Sequence, residues 1–226
     1  MRKACTAVVV AAGSARRMQG IDKVMAQVGG KPMLLLTARA LSESEKIDGI
    51  VIVTRAELVR EIQTLCTELP KVQAVVAGGE SRAQSVLCGL NAVDTPLAAI
   101  HDGARPLVTR KIIDAAIDAA ALCGAAAPAV AVHDTIKVAK NGVVQSTPDR
   151  STLFAVQTPQ VFDTEKIKAA ILAALDKGLP LTDDCSAAEA AGMKVRLTQG
   201  SEENLKITVP SDLALADAVL KRRERA

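Results

Sequence analysis

The stretch VVVAAGSARRMQGIDK, from Val8 to Lys23, is an apolar, strand-like run that breaks into small residues, two arginines and a lysine. A solidly apolar strand belongs in a sheet covered on both faces. In an open α/β sheet, ligands bind beyond the carboxyl ends of the strands, where loops meet helix N-termini. The loop with Gly13, Arg16, Arg17 and Lys23 falls at such an end. Small residues at Ala11, Ala12 and Gly13 would let a ligand approach the backbone, and the cations behind them would meet a polyanion such as a triphosphate. A solvated loop with ordinary surface charges reads from the same residues.

Outward from this stretch, apolar β-rich runs alternate with helical patterns. Strands are expected at Thr6–Val10, Ile50–Val53, Val72–Val76, Leu97–Ile100, Pro128–Val132 and Lys194–Leu197. Between them, Leu58, Val59, Ile62, Leu65, Cys66 and Leu69 recur at the helical period until Pro70. Lys111 to Cys123 is similarly amphipathic, and Gly124 supplies a C-terminal stop. The expected class is α/β, a Rossmann-like, doubly wound, mostly parallel sheet.

One segment breaks the alternation. Asp134 to Arg150 reads DTIKVAKNGVVQSTPDR, two short alternating runs joined by Asn141-Gly142, a strong hairpin signal. It is too polar for the central sheet. A lone hairpin is marginal in water, so this one either packs on another surface, a second copy of the chain being the obvious one, or stands as a flap.

Composition narrows the function classes. The chain has 226 residues, 49% of them hydrophobic, yet its purely apolar runs are far too short to span a bilayer. The basic start MRKACTAVVV passes straight into a glycine turn without a cleavage pattern, so a cytoplasmic protein is expected. Its five cysteines form no CxxC pair, which suits reduced, mostly buried thiols and neither disulfides nor zinc. With a net charge of +3 and no Trp or Tyr, the aromatic platforms that stack single-stranded nucleic acid are almost absent, so any cationic site must be local.

Two familiar phosphate motifs are absent. The loop lacks the lysine-serine end of G-x-x-x-x-G-K-[ST], and Gly13 is followed by Ser14 and Ala15 where a dinucleotide fold needs G-x-G-x-x-G. Hydride transfer is therefore disfavoured. In AAIHDGARPLV, a strand ends in His101-Asp102-Gly103-Ala104-Arg105. A carboxylate there suits Mg²⁺, which takes oxygen ligands and keeps several waters; a turn or helix cap is the competing role for Asp102. His101 reads as a strand-end residue with a satisfied hydrogen bond. In VVAGGESRAQSVLCGL, Gly78 and Gly79 end a strand and Ser81 can cap a helix whose first turns carry Arg82 and Ser85. Its amides favour an anion or a base edge, or form an ordinary junction.

AAGSARRM, GGESRAQSV, HDGARP, PDR, QTPQVF, TDDCSAAE and NLKIT, in this order and covering Val8 to about Leu213, resemble the motifs of the 2-C-methyl-D-erythritol 4-phosphate cytidylyltransferases. The resemblance implies a CTP-dependent nucleotidyltransferase of isoprenoid synthesis, one domain over residues 1–226, with a dimerisation arm at about 133–153. It places Arg17, Lys23 and Lys206 as cations on the transition state. Ala11, Ala12, Gly13, Gly79, Glu80, Ser85 and Gly103 would form the CTP pocket. Asp102 would sit near Mg²⁺ and substrate, Arg105 near the sugar phosphate, and Thr182 at the substrate. Thr135, Arg150 and Thr158 would serve the neighbouring subunit's site in a homodimer. A phosphate oxygen of the polyol would attack the α-phosphorus of CTP and expel pyrophosphate, with no protein nucleophile and no strong base required. The length implies the unfused form, without the pathway's cyclising domain.

Two positions depart from the family pattern: Ala15 stands where a second glycine is common, and Asp22 precedes Lys23 where a proline is usual. A ribitol-5-phosphate cytidylyltransferase shares the fold and many motifs, though TDDCSAAE resembles the methylerythritol enzymes more. A non-catalytic nucleotide-binding protein on the same scaffold is disfavoured by the joint presence of Arg17, Lys23, Asp102 and Lys206.

Overall fold

The computed structural model describes residues 2–13 and 25–225. The chain begins with β1 (Cys5–Val10), a ribbon of β2 (Gln27–Val28) and β3 (Lys31–Pro32), and α1 (Met33–Ser42). Next come β4 (Gly49–Thr54), α2 (Val59–Leu65), β5 (Val72–Ala77), α3 (Arg82–Leu90), β6 (Leu97–Asp102), α4 (Arg110–Cys123) and β7 (Ala125–Ala131). A hairpin of β8 (Val138–Lys140) and β9 (Val143–Ser146) precedes β10 (Phe154–Val156), β11 (Gln160–Asp163), α5 (Thr164–Asp176), α6 (Asp184–Ala190), β12 (Arg196–Gln199) and α7 (Pro210–Arg223).

The central sheet runs β5-β4-β1-β6-β11-β7, with β1, β4, β5 and β6 mutually parallel. β11 pairs antiparallel with both β6 and β7. β12 pairs parallel with β7 along the edge opposite β10 and β11, since Ala126 and Ala129 meet partners on both sides. The mostly parallel α/β reading holds, with two antiparallel strands that the apolar runs did not signal: β11, inserted between β6 and β7, and β10, beside β7.

Alternation along β1 sends Cys5, Ala7 and Val9 into a core with α1, α2 and α4, and Val8 into a second core with α3, α5 and α6. Helices therefore cover both faces, as strands apolar on both sides require. Phe162 of β11 is fully buried, worth roughly 1.5–3 kcal/mol relative to an exposed ring. Gly89 lets α3 lie against the sheet: a Cβ there would meet Val8 Cγ1 at 2.4 Å and Val53 Cγ2 at 2.6 Å. A third cluster joins α7 to β2, Met33, Leu107 and Ile207.

Local punctuation follows the sequence. Gly124 closes α4 in the left-handed region at φ 86°, its amide donating to Ala120 O. Asn141 and Gly142 both have positive φ, 51° and 78°, as a two-residue hairpin turn of this twist requires. Other boundaries shifted. The strand expected at 128–132 starts at Ala125, because an alanine run carries little β signal yet is fully covered here. The helix expected through Leu69 ends its regular part at Leu65, after a 3₁₀ turn at Ala56–Leu58. Among the described residues no helix is long and apolar enough to cross a membrane.

Candidate active site

The carboxyl ends of β1, β5 and β6 open into a cavity of about 500 Å³. Ala11, Ala12 and Gly13 enter it from the end of β1. Gly79, Glu80 and Ser85 reach it from the junction between β5 and α3. Asp102 and Gly103 come from the end of β6, and Lys206 from the segment before α7. Nine of the expected site residues thus line one cavity, as do Met33, Ser81 and Arg82. Arg17 and Lys23, with the departures at Ala15 and Asp22, lie outside the described residues.

The β5–α3 wall is preset by a capping box. Ser81 Oγ accepts from the Gln84 amide, and Gln84 Oε1 accepts from the Ser81 amide. One turn on, Ser85 Oγ accepts from the Gly79 amide and donates to Ser81 O, which ties the glycine loop to the helix.

Asp102 is the electrostatic centre. Its Oδ2 lies 2.8 Å from Lys206 Nζ and 3.5 Å from Arg105 Nε, and its Oδ1 lies 3.7 Å from Arg82 Nη2. Burial pushes the carboxyl up, but Lys206, Arg82 and Arg105 outweigh it and hold it down at about 2. Asp102 is therefore a fixed anion among three cations. Among the described residues no group of three or more His, Cys, Asp or Glu side chains could hold a metal ion. Two carboxylates line the cavity, Asp102 and Glu80, so a divalent cation there would draw its remaining oxygen ligands from substrate phosphates and water.

Thr158 belongs to the same cluster. It is buried beneath Asp102, where its hydroxyl accepts from the Asp102 amide at 3.1 Å and meets His101 Nδ1 at 3.0 Å. His101 Nε2 faces Arg105 O at 3.2 Å and must carry the ring proton, so Nδ1 accepts from Thr158. Burial pushes His101 down to about 4 and keeps it neutral, a strand-end histidine with both nitrogens satisfied. The Thr158 hydroxyl thus supports the Asp102 amide within its own chain.

The remaining motifs act as clamps. Gln157 Nε2 donates to Ser201 O, and Gln157 Oε1 accepts from Asn204 Nδ2 and the Ser201 amide. Asn204 Nδ2 also donates to Thr158 O, while Arg105 Nη1 donates to Asn204 O at 2.6 Å. Ile207 N donates to Ala104 O, and Asp212 Oδ2 accepts from the Thr208 and Val209 amides. These bonds fix the backbone on both sides of Lys206. Gln160 Oε1 accepts from the amides of Asp184 and Cys185, which seats the start of α6 against β11. Thr182 stands just before α6, its amide donating to Ser186 Oγ at 3.2 Å, and does not line the cavity.

Sequence reasoning placed Arg82 on the right turn but missed its partner. Arg82 forks Asp184 through Nη1–Oδ1 at 2.9 Å and Nη2–Oδ2 at 2.7 Å, and Asp184 is 2% exposed. Burial alone would lower the guanidinium, but Asp184 and then Asp102 hold it firmly charged. The second aspartate of TDDCSAAE was the available signal, since a buried carboxylate demands a cation.

Thr135 and Arg150 belong to the exposed arm and line no part of the cavity. Arg150 Nη1 donates to His133 O at 2.8 Å, which closes the base of the arm. Ile136, Val138, Val143 and Val144 on the arm and Phe154 and Val156 beside it are exposed apolar side chains.

The family described as IspD: 2-C-methyl-D-erythritol 4-phosphate cytidylyltransferase matches residues 5–222. A 2-C-methyl-D-erythritol 4-phosphate cytidylyltransferase of Caldanaerobacter subterraneus subsp. tengcongensis is 45% identical over 96% of this chain and 99% of its own. The protein of that name from Desulforamulus reducens is 46% identical over 96% of each chain. Among solved structures, the 4-diphosphocytidyl-2C-methyl-D-erythritol synthase of Anaerococcus prevotii superposes with a TM-score of 0.88 at 30% identity, over 98% of this chain and 100% of that one. By the length and level of these matches, the chain belongs to the 2-C-methyl-D-erythritol 4-phosphate cytidylyltransferase family.

Proposed function

We propose that this chain joins CTP and 2-C-methyl-D-erythritol 4-phosphate to give 4-diphosphocytidyl-2-C-methyl-D-erythritol and pyrophosphate. The observation that carries the reading is the meeting of Lys206 and Arg105 at Asp102 at the mouth of a cavity whose other walls are Ala11, Ala12, Gly13, Gly79, Glu80, Ser85 and Gly103. The small residues and the α3 amides receive the nucleoside and its phosphates. A phosphate oxygen of the polyol forms a bond to the α-phosphorus as the bond from that phosphorus to the pyrophosphate oxygen breaks. Negative charge gathers on the α-phosphate oxygens, and Lys206, with Arg17 and Lys23, is assigned to stabilise it. Cations fixed in advance speed the step more than they aid binding. Arg105 is assigned to the polyol phosphate, and Thr182 to the polyol end.

Asp102 is assigned to hold Mg²⁺, which when bound would neutralise negative charge on the nucleotide phosphates. The exposed apolar arm supports a homodimer in which Thr135 and Arg150 reach the partner's site. The fold is taken as one catalytic domain over the whole chain, with the arm as its dimerisation element. We place it in the cytoplasm, in contact with neither membrane nor nucleic acid.

The test is a screen of pyrophosphate release with nucleoside triphosphates against polyol phosphates. Turnover with CTP and methylerythritol phosphate is expected. Preference for ribitol 5-phosphate, or no release at any Mg²⁺ concentration, would overturn the reading.

A further inference from the structure

Arg82 Nη2 stands between two carboxylates, 2.7 Å from Asp184 Oδ2 and 3.7 Å from Asp102 Oδ1. A shift of about 1 Å would bring it to hydrogen-bonding distance of Asp102. Asp102 already has Lys206 and Arg105 on Oδ2, so that shift would engage its second oxygen as well. What opposes it is the two-pronged Asp184 fork, the strongest geometry a guanidinium finds. Asp184 itself cannot follow, because it is buried in the first turn of α6 and its amide is held by Gln160 Oε1.

We propose that Asp184 is a positioning residue for the transfer reaction: its fork on Arg82 withholds that guanidinium from Asp102 and leaves Asp102 Oδ1 to the contents of the cavity. The inference rests on the assignment of Asp102 to the reacting site. Stability alone does not explain the pair, since a buried ion pair is a weak stabilising device next to an apolar replacement. Asp184 does not line the cavity; its hydrogen-bonded link to a lining side chain is the fork on Arg82. In TDDCSAAE the two aspartates then divide the work. Asp183 caps α6 through the Ser186 amide, and Asp184 governs the arginine of the facing helix.

The test compares wild type, Asp184→Asn, Arg82→Gln and the double variant, by pyrophosphate release and thermal unfolding. With the fork gone, Arg82 closes on Asp102, and kcat of Asp184→Asn should fall by roughly 10- to 100-fold. Removing the arginine as well should recover most of that loss in kcat at temperatures where both variants are fully folded, which separates positioning from the recovery of stability that removing both partners of a buried pair brings by itself. Asp184→Asn with wild-type kcat, or a double variant no better than Asp184→Asn, overturns the proposal. Should Asp184→Asn fail to fold, the double variant, which carries no unpaired charge, decides alone. A kcat within about tenfold of wild type supports the proposal, and a greater loss overturns it, because neither side chain would then be acting through Asp102 alone. A wild-type protein that releases no pyrophosphate would instead overturn the cytidylyl transfer itself.

Discussion

Lys206 Nζ lies 2.8 Å from Oδ2 of Asp102, which joins the end of β6 to the segment before α7 at the cavity mouth. The backbone around Lys206 is pinned by Arg105, Ala104 and Asp212, so the ammonium is delivered to one place and not merely to one region.

Lys206→Ala should therefore lower kcat by about 10² to 10³, as loss of a single oxyanion donor does elsewhere, with a smaller effect on CTP affinity. Steady-state pyrophosphate release gives the split between kcat and KM. Unchanged kcat would remove Lys206 from the reaction. Lys23→Ala should act in the same direction.

His101 is held at about 4, below its ordinary 6.5, by burial. Between these values the unfolded chain binds the extra proton and the native chain does not, so this stability is present above pH 6.5 and is lost as pH falls towards 4. The amount is on the order of 3 kcal/mol. Urea unfolding at pH 7, 5.5 and 4.5 should show the decline in wild type and a flatter profile in His101→Gln. Equal slopes would refute the neutral histidine.

Asp102, held at about 2, contributes in the next window down. Its share is present above its ordinary 3.8 and disappears as pH falls through 2. Asp102→Asn should lose activity and also lose the acid limb below pH 4, readable by unfolding at pH 4 and 2.5.

Arg150→Ala should raise KM for the polyol phosphate while the fold, read by circular dichroism, is kept. If the arm acts across a dimer, mixing this variant with a Lys23 variant should restore one working site. Mixtures no more active than their parents would confine Arg150 to its own subunit.

Gly89→Ala should destabilise the protein by about 1–3 kcal/mol despite the better helix propensity of alanine, because the added methyl would press on Val8 and Val53. A raised melting temperature would contradict the close approach of α3.

Local signals carried far in this protein. Val8–Val10, the Gly124 stop and the Asn141-Gly142 turn need only their own backbone preferences and near neighbours, and each stands where the sequence puts it. The strand-end position of Asp102 and the capping role of Ser81 are equally local. β11 is not: four residues, QVFD, become an antiparallel insertion only because β6 and β7 leave a gap between them.

By itself, then, the sequence determined an alternating α/β chain, the turn types, and which loops carry cations and small residues, since these follow from periodicity and φ preference. Only the tertiary structure decided which charges meet. Arg82 with Asp184, Lys206 with Asp102, and Thr158 beneath Asp102 join segments far apart along the chain. Their partners are chosen by burial, because a charge or hydroxyl removed from water must find its complement wherever the sheet order brings one within reach.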